Sequence, residues 1–206
     1  MSTRPNWKQI NQTSAQRQRR RAGGWKAKRA GESTEELVMQ VGRMYLQHER
    51  AEIRKRPEPY RRIGGARPNG QFTAAPLSKS GPDFDVALPD GRAGLIEVKS
   101  RKGHRIPLSA VGDIQYQALA RRVHWHGFGM ILVMLWKEGQ ETRWWAIDCR
   151  RWNEAKKKGY KSLSDQDLDL LGVRCELLVG HKPDWLPALL KADQEAKINL
   201  WPLDED

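Results

Sequence analysis

Apolar and polar residues alternate with period two on both sides of Pro89-Asp90-Gly91. Phe84, Val86 and Leu88 before it, and Ile96 and Val98 after it, share one face of a two-stranded hairpin. Asp83, Asp85, Glu97 and Lys99 share the other. The Pro-Asp-Gly sequence is a turn signal with glycine placed for positive φ. A three-residue loop over 89–91 pairs 88 with 92 and, continuing outward, 83 with 97. A slip of one residue would invert both faces, so the apolar set fixes the register.

The same reading extends along the chain. Residues 128–135 (FGMILVML) are apolar throughout, as in a central strand buried on both sides. Residues 142–148 (TRWWAID) predict a second strand, and 50–56 a short arginine-rich one. A helix begins near Ser33, where Ser33-Thr34-Glu35-Glu36 fits a capping box and Val38, Val41 and Tyr45 mark an apolar stripe. Helices are also predicted over 109–123, ending in Arg121-Arg122, over the basic segment 150–159, and from Pro183 or Asp184 through Leu186, Leu189 and Leu190. Strands interleaved with helices define an α/β chain with a mixed central sheet flanked by helices. Trp136, Trp144, Trp145 and Trp152 read as core or interface residues, and His124 and His126 as structural ones.

Charge changes the picture for the first part of the chain. The 206 residues carry a formal charge of +12. Residues 1–80 hold 18 Lys and Arg against 6 Asp and Glu, while the rest holds 19 of each. All the net positive charge therefore precedes the hairpin, which implies a polyanionic partner. No apolar run approaches the length of a membrane span. Two cysteines, Cys149 and Cys175, make no disulfide framework, and no secretory signal is visible, so a cytoplasmic setting is expected. Residues 1–30, with nine Lys and Arg and no acid, read as a disordered basic arm in which Arg19, Arg20 and Arg29 would neutralise phosphates. Residues 57–82 are rich in Gly, Pro and base and too long for an ordinary loop. They read as a functional projection, with Arg61, Arg62, Arg67 and Lys79 as phosphate contacts and Phe72 as a wedge or stacking group. A core domain over 31–180 is followed by a tail, 181–206, that packs on the core or on a second subunit.

The polar face of the hairpin supplies the candidate chemistry. Carboxylates that converge repel one another unless a cation stands between them. Oxygen donors without Cys or His suit Mg²⁺ or Mn²⁺. A lysine beside them can stabilise charge developing on phosphorus. Asp83 is preferred over Asp85 as a ligand because it follows Pro82 and falls opposite Glu97; Asp85 remains the alternative. Glu36 has a capping task at the helix start, whereas Glu35 lies nearer the apolar stripe. Arg101 and Lys102 follow the lysine closely enough to hold a strand beside the site.

Pro82-Asp83 followed by Glu97-Val98-Lys99 resembles the PD-(D/E)XK nuclease motif. Residues 33–55, 83–99, 106–119 and 128–162 are similar to Holliday junction resolvases of the RecU type, with Hjc-type resolvases as relatives. The resemblance implies a restriction-endonuclease-like fold and a catalytic set of Asp83, Glu97 and Lys99, with Glu35 assisting the metal site and Gln115 supporting it from the next helix. It further implies a Mg²⁺- or Mn²⁺-dependent homodimer in a bacterial, archaeal or phage-infected cell. That dimer would cut four-way DNA junctions in pairs, leaving 3′-hydroxyl and 5′-phosphate ends, with the 57–82 stalk entering the junction. A repair or restriction-like nuclease of the same superfamily is the nearer alternative. A non-catalytic architectural DNA-binding protein is the more distant one, and it leaves the acid cluster without a purpose.

Overall fold

The computed structural model describes residues 34–57, 60–65, 69–76, 81–138, 140–179 and 182–198. The 1–30 arm with Arg19, Arg20 and Arg29, together with Arg67 and Lys79, lies outside the described residues.

Strand β7 (Phe128–Trp136) sits in the interior of a six-stranded sheet. Its first eight side chains are all buried. One neighbour, β5 (Ala93–Lys102), runs parallel to it, and the other, β8 (Arg143–Asp148), runs antiparallel. The sheet continues through β4 (Phe84–Ala87) to β1 (Glu52–Lys55) on one side, and ends at β10 (Val173–Arg174) on the other. The parallel β5–β7 pair requires a crossover, and helix α2 (Asp113–His124) supplies it. The expected mixed sheet flanked by helices is the observed architecture.

Both sheet faces are covered, and the period of the strands decides which side chain goes where. Phe84, Val86, Ile96, Val98, Phe128, Met130, Leu132 and Trp144 join one core with helices α1 (34–47) and α5 (Trp185–Ile198). Leu95, Ile131, Val133, Leu135, Trp145 and Ile147 join the other, beneath α2, α3 (Cys149–Lys157) and α4 (Asp165–Leu171). The adjacent Trp144 and Trp145 thus separate to opposite cores. Helix α1 lies so close to β1 that a Cβ on Gly42 would stand 2.0 Å from Ile53 Cγ2.

Helix α5 is part of the first core. Trp185 is fully buried, meets Tyr45 edge-on at 4.9 Å, and donates from Nε1 to the Val38 carbonyl at 3.2 Å. The Tyr45 hydroxyl donates to Asp184 and accepts from Leu186 N at 3.2 Å. Arg92, at the end of the hairpin loop, reaches Asp193 of the same helix at 3.0 Å.

Residues 60–63 (β2, Tyr60–Ile63) and 73–76 (β3, Thr73–Pro76) pair antiparallel as a separate ribbon. All four β2 side chains are exposed. The remaining strands are short: β6 (Arg105–Pro107) pairs with β9 (Ser162–Ser164), and β11 (Glu176–Leu178) with β12 (Lys182–Asp184). The segment 162–178, which carries no strong apolar period, holds α4. Its N-terminus is closed by a capping box in which Ser164 N donates to Asp167 Oδ2 at 2.7 Å.

Trp185→Ala is expected to cost about 3–5 kcal/mol of folding free energy, because it empties an indole-sized volume between α1 and α5. Urea denaturation followed by circular dichroism measures it. A loss below about 1 kcal/mol would show α5 to be an appendage of the domain.

Candidate active site

The β4–β5 hairpin places the acids. Leu88 N donates to the Arg92 carbonyl at 2.9 Å and Gly91 N to the Leu88 carbonyl at 3.0 Å, closing the loop over 89–91. Gly91 takes a φ of +85°, where a side chain would be strained. Phe84 pairs with Ile96 and Asp85 with Leu95, the register the sequence pattern expects, and Asp83 stands just before the first of these pairs, with its carboxylate on the amide that follows Glu97.

Glu97 has no exposed surface. Its Oε1 accepts from Gln115 Nε2 at 2.6 Å and is ion-paired to the Lys99 ammonium. Its Oε2 is buried with no hydrogen-bond partner among the described residues. Asp83 Oδ2 accepts from Val98 N at 2.7 Å. Burial, reinforced by the neighbouring charge of Asp83, pushes the Glu97 carboxyl up to about 8 against the pull of Lys99. Burial likewise pushes Asp83 up to about 6, with Glu35 adding to the rise and the Val98 amide opposing it.

Gln115 is held at both ends. It is the third residue of α2, and its Oε1 accepts from Gly112 N at 3.0 Å, while its Nε2 reaches Glu97. One amide therefore caps the helix and orients the carboxylate.

The two pairs of neighbouring acids separate clearly. Glu36 is half-exposed and pairs with Arg43 at 3.1 Å. Glu35 is mostly covered, pairs with Lys55 at 2.6 Å, and its charge raises both Asp83 and Glu97. Asp85 is half-exposed and lies 3.5 Å from Arg56 and 4.0 Å from Arg122. The structure thus gathers Asp83, Glu97, Lys99 and Gln115 at one point, with Glu35 beside them and turned to Lys55.

Among the described residues no three Asp, Glu, His or Cys side chains form a ready-made metal cage. Asp83 and Glu97 nevertheless offer the donors that Mg²⁺ or Mn²⁺ takes. Mg²⁺ keeps several waters and needs only one or two carboxylates alongside substrate phosphates. The unpartnered Glu97 Oε2 is a buried acceptor that a cation could take.

Of the basic residues expected at DNA, Arg101 is exposed on β5, two residues beyond Lys99 and therefore on the same face. Lys102 is engaged by Glu138 at 3.2 Å and lies over the Trp136 ring. Arg61 and Arg62 are exposed on β2, with the Arg62 guanidinium 5.4 Å from the centre of the Phe72 ring. Sequence reasoning missed Arg56 and Arg122. The available signal was that Arg122 follows Gln115 by two helical turns and shares its face.

No protein-family model matches the chain, and no curated protein does. Among solved structures it is similar to Hjc from Archaeoglobus fulgidus, a Holliday junction resolvase. The two are 14% identical, the match covers 68% of this chain and 93% of that one, and the TM-score is 0.39. No helix among the described residues is long and apolar enough to cross a membrane.

Both acids have folded-state pKa values above their unfolded ones. Each therefore favours folding fully below about pH 4, and that contribution is lost as pH rises through about 6 for Asp83 and about 8 for Glu97. In EDTA, the stability of Glu97→Gln relative to the unsubstituted protein should rise between pH 6 and pH 9, by an amount on the order of a few kcal/mol. Thermal unfolding across that range measures it. A difference that stays constant with pH would mean Glu97 titrates normally.

Proposed function

We propose that this chain is a divalent-metal-dependent endodeoxyribonuclease of the PD-(D/E)XK type whose substrate is branched DNA, above all the four-way junction. The observation that carries the reading is Glu97: a carboxylate with no exposed surface, across from Asp83, with one oxygen held by Gln115 and Lys99 and the other unpartnered among the described residues. Burying such a group costs several kcal/mol and contributes nothing to packing. A cation site gives it a purpose.

Asp83 and Glu97 are the residues to hold Mg²⁺ or Mn²⁺. Such an ion polarises a phosphoryl oxygen and lowers the pKa of bound water. Lys99, whose ammonium lies against Glu97, is placed to stabilise charge that develops on the phosphoryl group. Gln115 fixes the rotamer of Glu97 from the start of α2. Glu35 stands ready as a further carboxylate, held back by Lys55. Mg²⁺ should therefore raise the melting temperature of the unsubstituted protein more than that of Glu97→Gln, a readout independent of cleavage.

Selection of a branched substrate is supported by the β2–β3 ribbon, where exposed Arg61, Arg62, Phe72 and Tyr60 combine charge with aromatic surface. Paired cuts in a two-fold-symmetric junction call for paired sites, so the working form is a homodimer.

The deciding experiment compares a synthetic four-way junction with linear duplex of the same sequence, with and without Mg²⁺. Preferential junction cutting that depends on metal is expected. Asp83→Asn and Glu97→Gln should each lower the single-turnover rate by at least about 10²-fold while junction binding survives; Asp85→Asn should be milder. Lys99→Ala should lower the rate constant and leave affinity largely intact. Equal cutting of both substrates would make this a repair or restriction-like nuclease, and near-normal cutting by Glu97→Gln would remove that residue from the site. Light scattering with and without junction should report a dimer; a strict monomer in both would exclude paired cutting by one assembly.

A further inference from the structure

Asp85 lies on β4 two residues after Asp83, which immediately precedes the strand, yet its surroundings are the reverse. Asp83 is mostly buried and receives a backbone amide, whereas the Asp85 side chain is 50% exposed and flanked by two guanidiniums. Arg56 approaches from just beyond β1, where its own backbone N donates to the Asp83 carbonyl at 2.8 Å. Arg122 approaches from the last turn of α2. These arginines come from opposite sides of the strand and from segments far apart in sequence. Neither contact is bidentate or tight, at 3.5 Å and 4.0 Å, and both side chains remain partly exposed at 39% and 32%. A single-point ion pair in that setting contributes little to stability. Among the described residues Asp85 is the one carboxylate paired with either guanidinium, and a planar fork of this kind suits recognition of an anion.

The geometry aligns this pair with the candidate site. Gln115 and Arg122 lie two turns apart on one face of α2, about 10 Å along the axis. Gln115 meets Glu97 at one end, and Arg122 meets Asp85 at the other. Asp83 and Asp85 are two residues apart at the start of β4, about 6.6 Å for extended chain. The helix face and the strand face therefore run side by side from the acid cluster to the arginine pair, a distance on the order of one nucleotide step.

We propose that Arg56 and Arg122 form a phosphate clamp for the DNA backbone next to the phosphate being cut, and that Asp85 is an internal anion occupying the clamp until DNA displaces it. The proposal rests on the nuclease reading for its substrate and adds to it a binding subsite. It assigns Asp85 a role other than metal ligand. It also accounts for two acids on the site face, one in an environment that raises its carboxyl and the other between two permanent cations.

The test measures binding apart from cleavage. Affinity for labelled duplex and for the four-way junction is determined in EDTA at several salt concentrations. Arg56→Gln and Arg122→Gln should each weaken binding about tenfold, as loss of a charged hydrogen-bonding group does. Each should also reduce the log–log salt slope on duplex by roughly 0.9. Arg43→Gln removes the same charge from the exposed face of α1 and should leave that slope unchanged. Asp85→Asn should act in the opposite direction and tighten binding severalfold, because it removes the competing anion; that gain cannot arise from misfolding. Arginine variants that match Arg43→Gln, or an Asp85→Asn variant that binds no better than the unsubstituted protein, would overturn the clamp. Absence of Mg²⁺-dependent cleavage with the arginine losses intact would overturn the nuclease reading and leave the clamp standing.

Discussion

The pairing of β4 with β5 is the constraint on which the rest of the molecule depends. Through a single register it sends Phe84, Val86, Ile96 and Val98 into the core beneath α1 and α5, and turns Asp83 and Glu97 to the other side. The same strand β5 then pairs with β7 in parallel and so demands a crossover, and that crossover delivers Gln115 to Glu97. The pairings that build the sheet also assemble the site. A shift of one residue would turn two carboxylates into the core beneath α1 and α5 and withdraw Phe84, Val86, Ile96 and Val98 from it.

The hairpin was legible because three signals agreed: the Pro89-Asp90-Gly91 turn, the apolar face and the polar face. The central position of β7 was legible because eight consecutive apolar residues leave no polar side to expose. The wholly buried state of Glu97 was not. An acid on the polar face of a hairpin reads as partly solvated, and only the arrival of α2 over that face, with Leu119 and Val111 in the second core, removes the water. The segment 162–178 was unreadable for a different reason. Its strands span two or three residues, too few to display a period, and its clearest local signal is the reciprocal cap between Ser164 and Asp167. Arg56 and Arg122 escaped because nothing local connects them; they meet only across Asp85.

Neighbouring acids of one sequence type have been given different physical treatment. Glu36 and Asp85 stay half-solvated and lean on arginines, whereas Asp83 and Glu97 are desolvated and pushed towards protonation. Glu35 stands between these extremes, covered yet neutralised by Lys55. Burial, more than residue identity, separates the carboxyls whose pKa is raised from those left at the surface.

The double attachment of Gln115 has a wider consequence. Its amide joins the opening turn of α2 to a titrating carboxylate, so the two share one degree of freedom. A change in the ionisation of Glu97 would therefore act, through Gln115, on the restraint of the Gly112 amide at the cap of that helix. The hydrogen exchange of that one amide would then report the charge state of the site from backbone that touches no reactant.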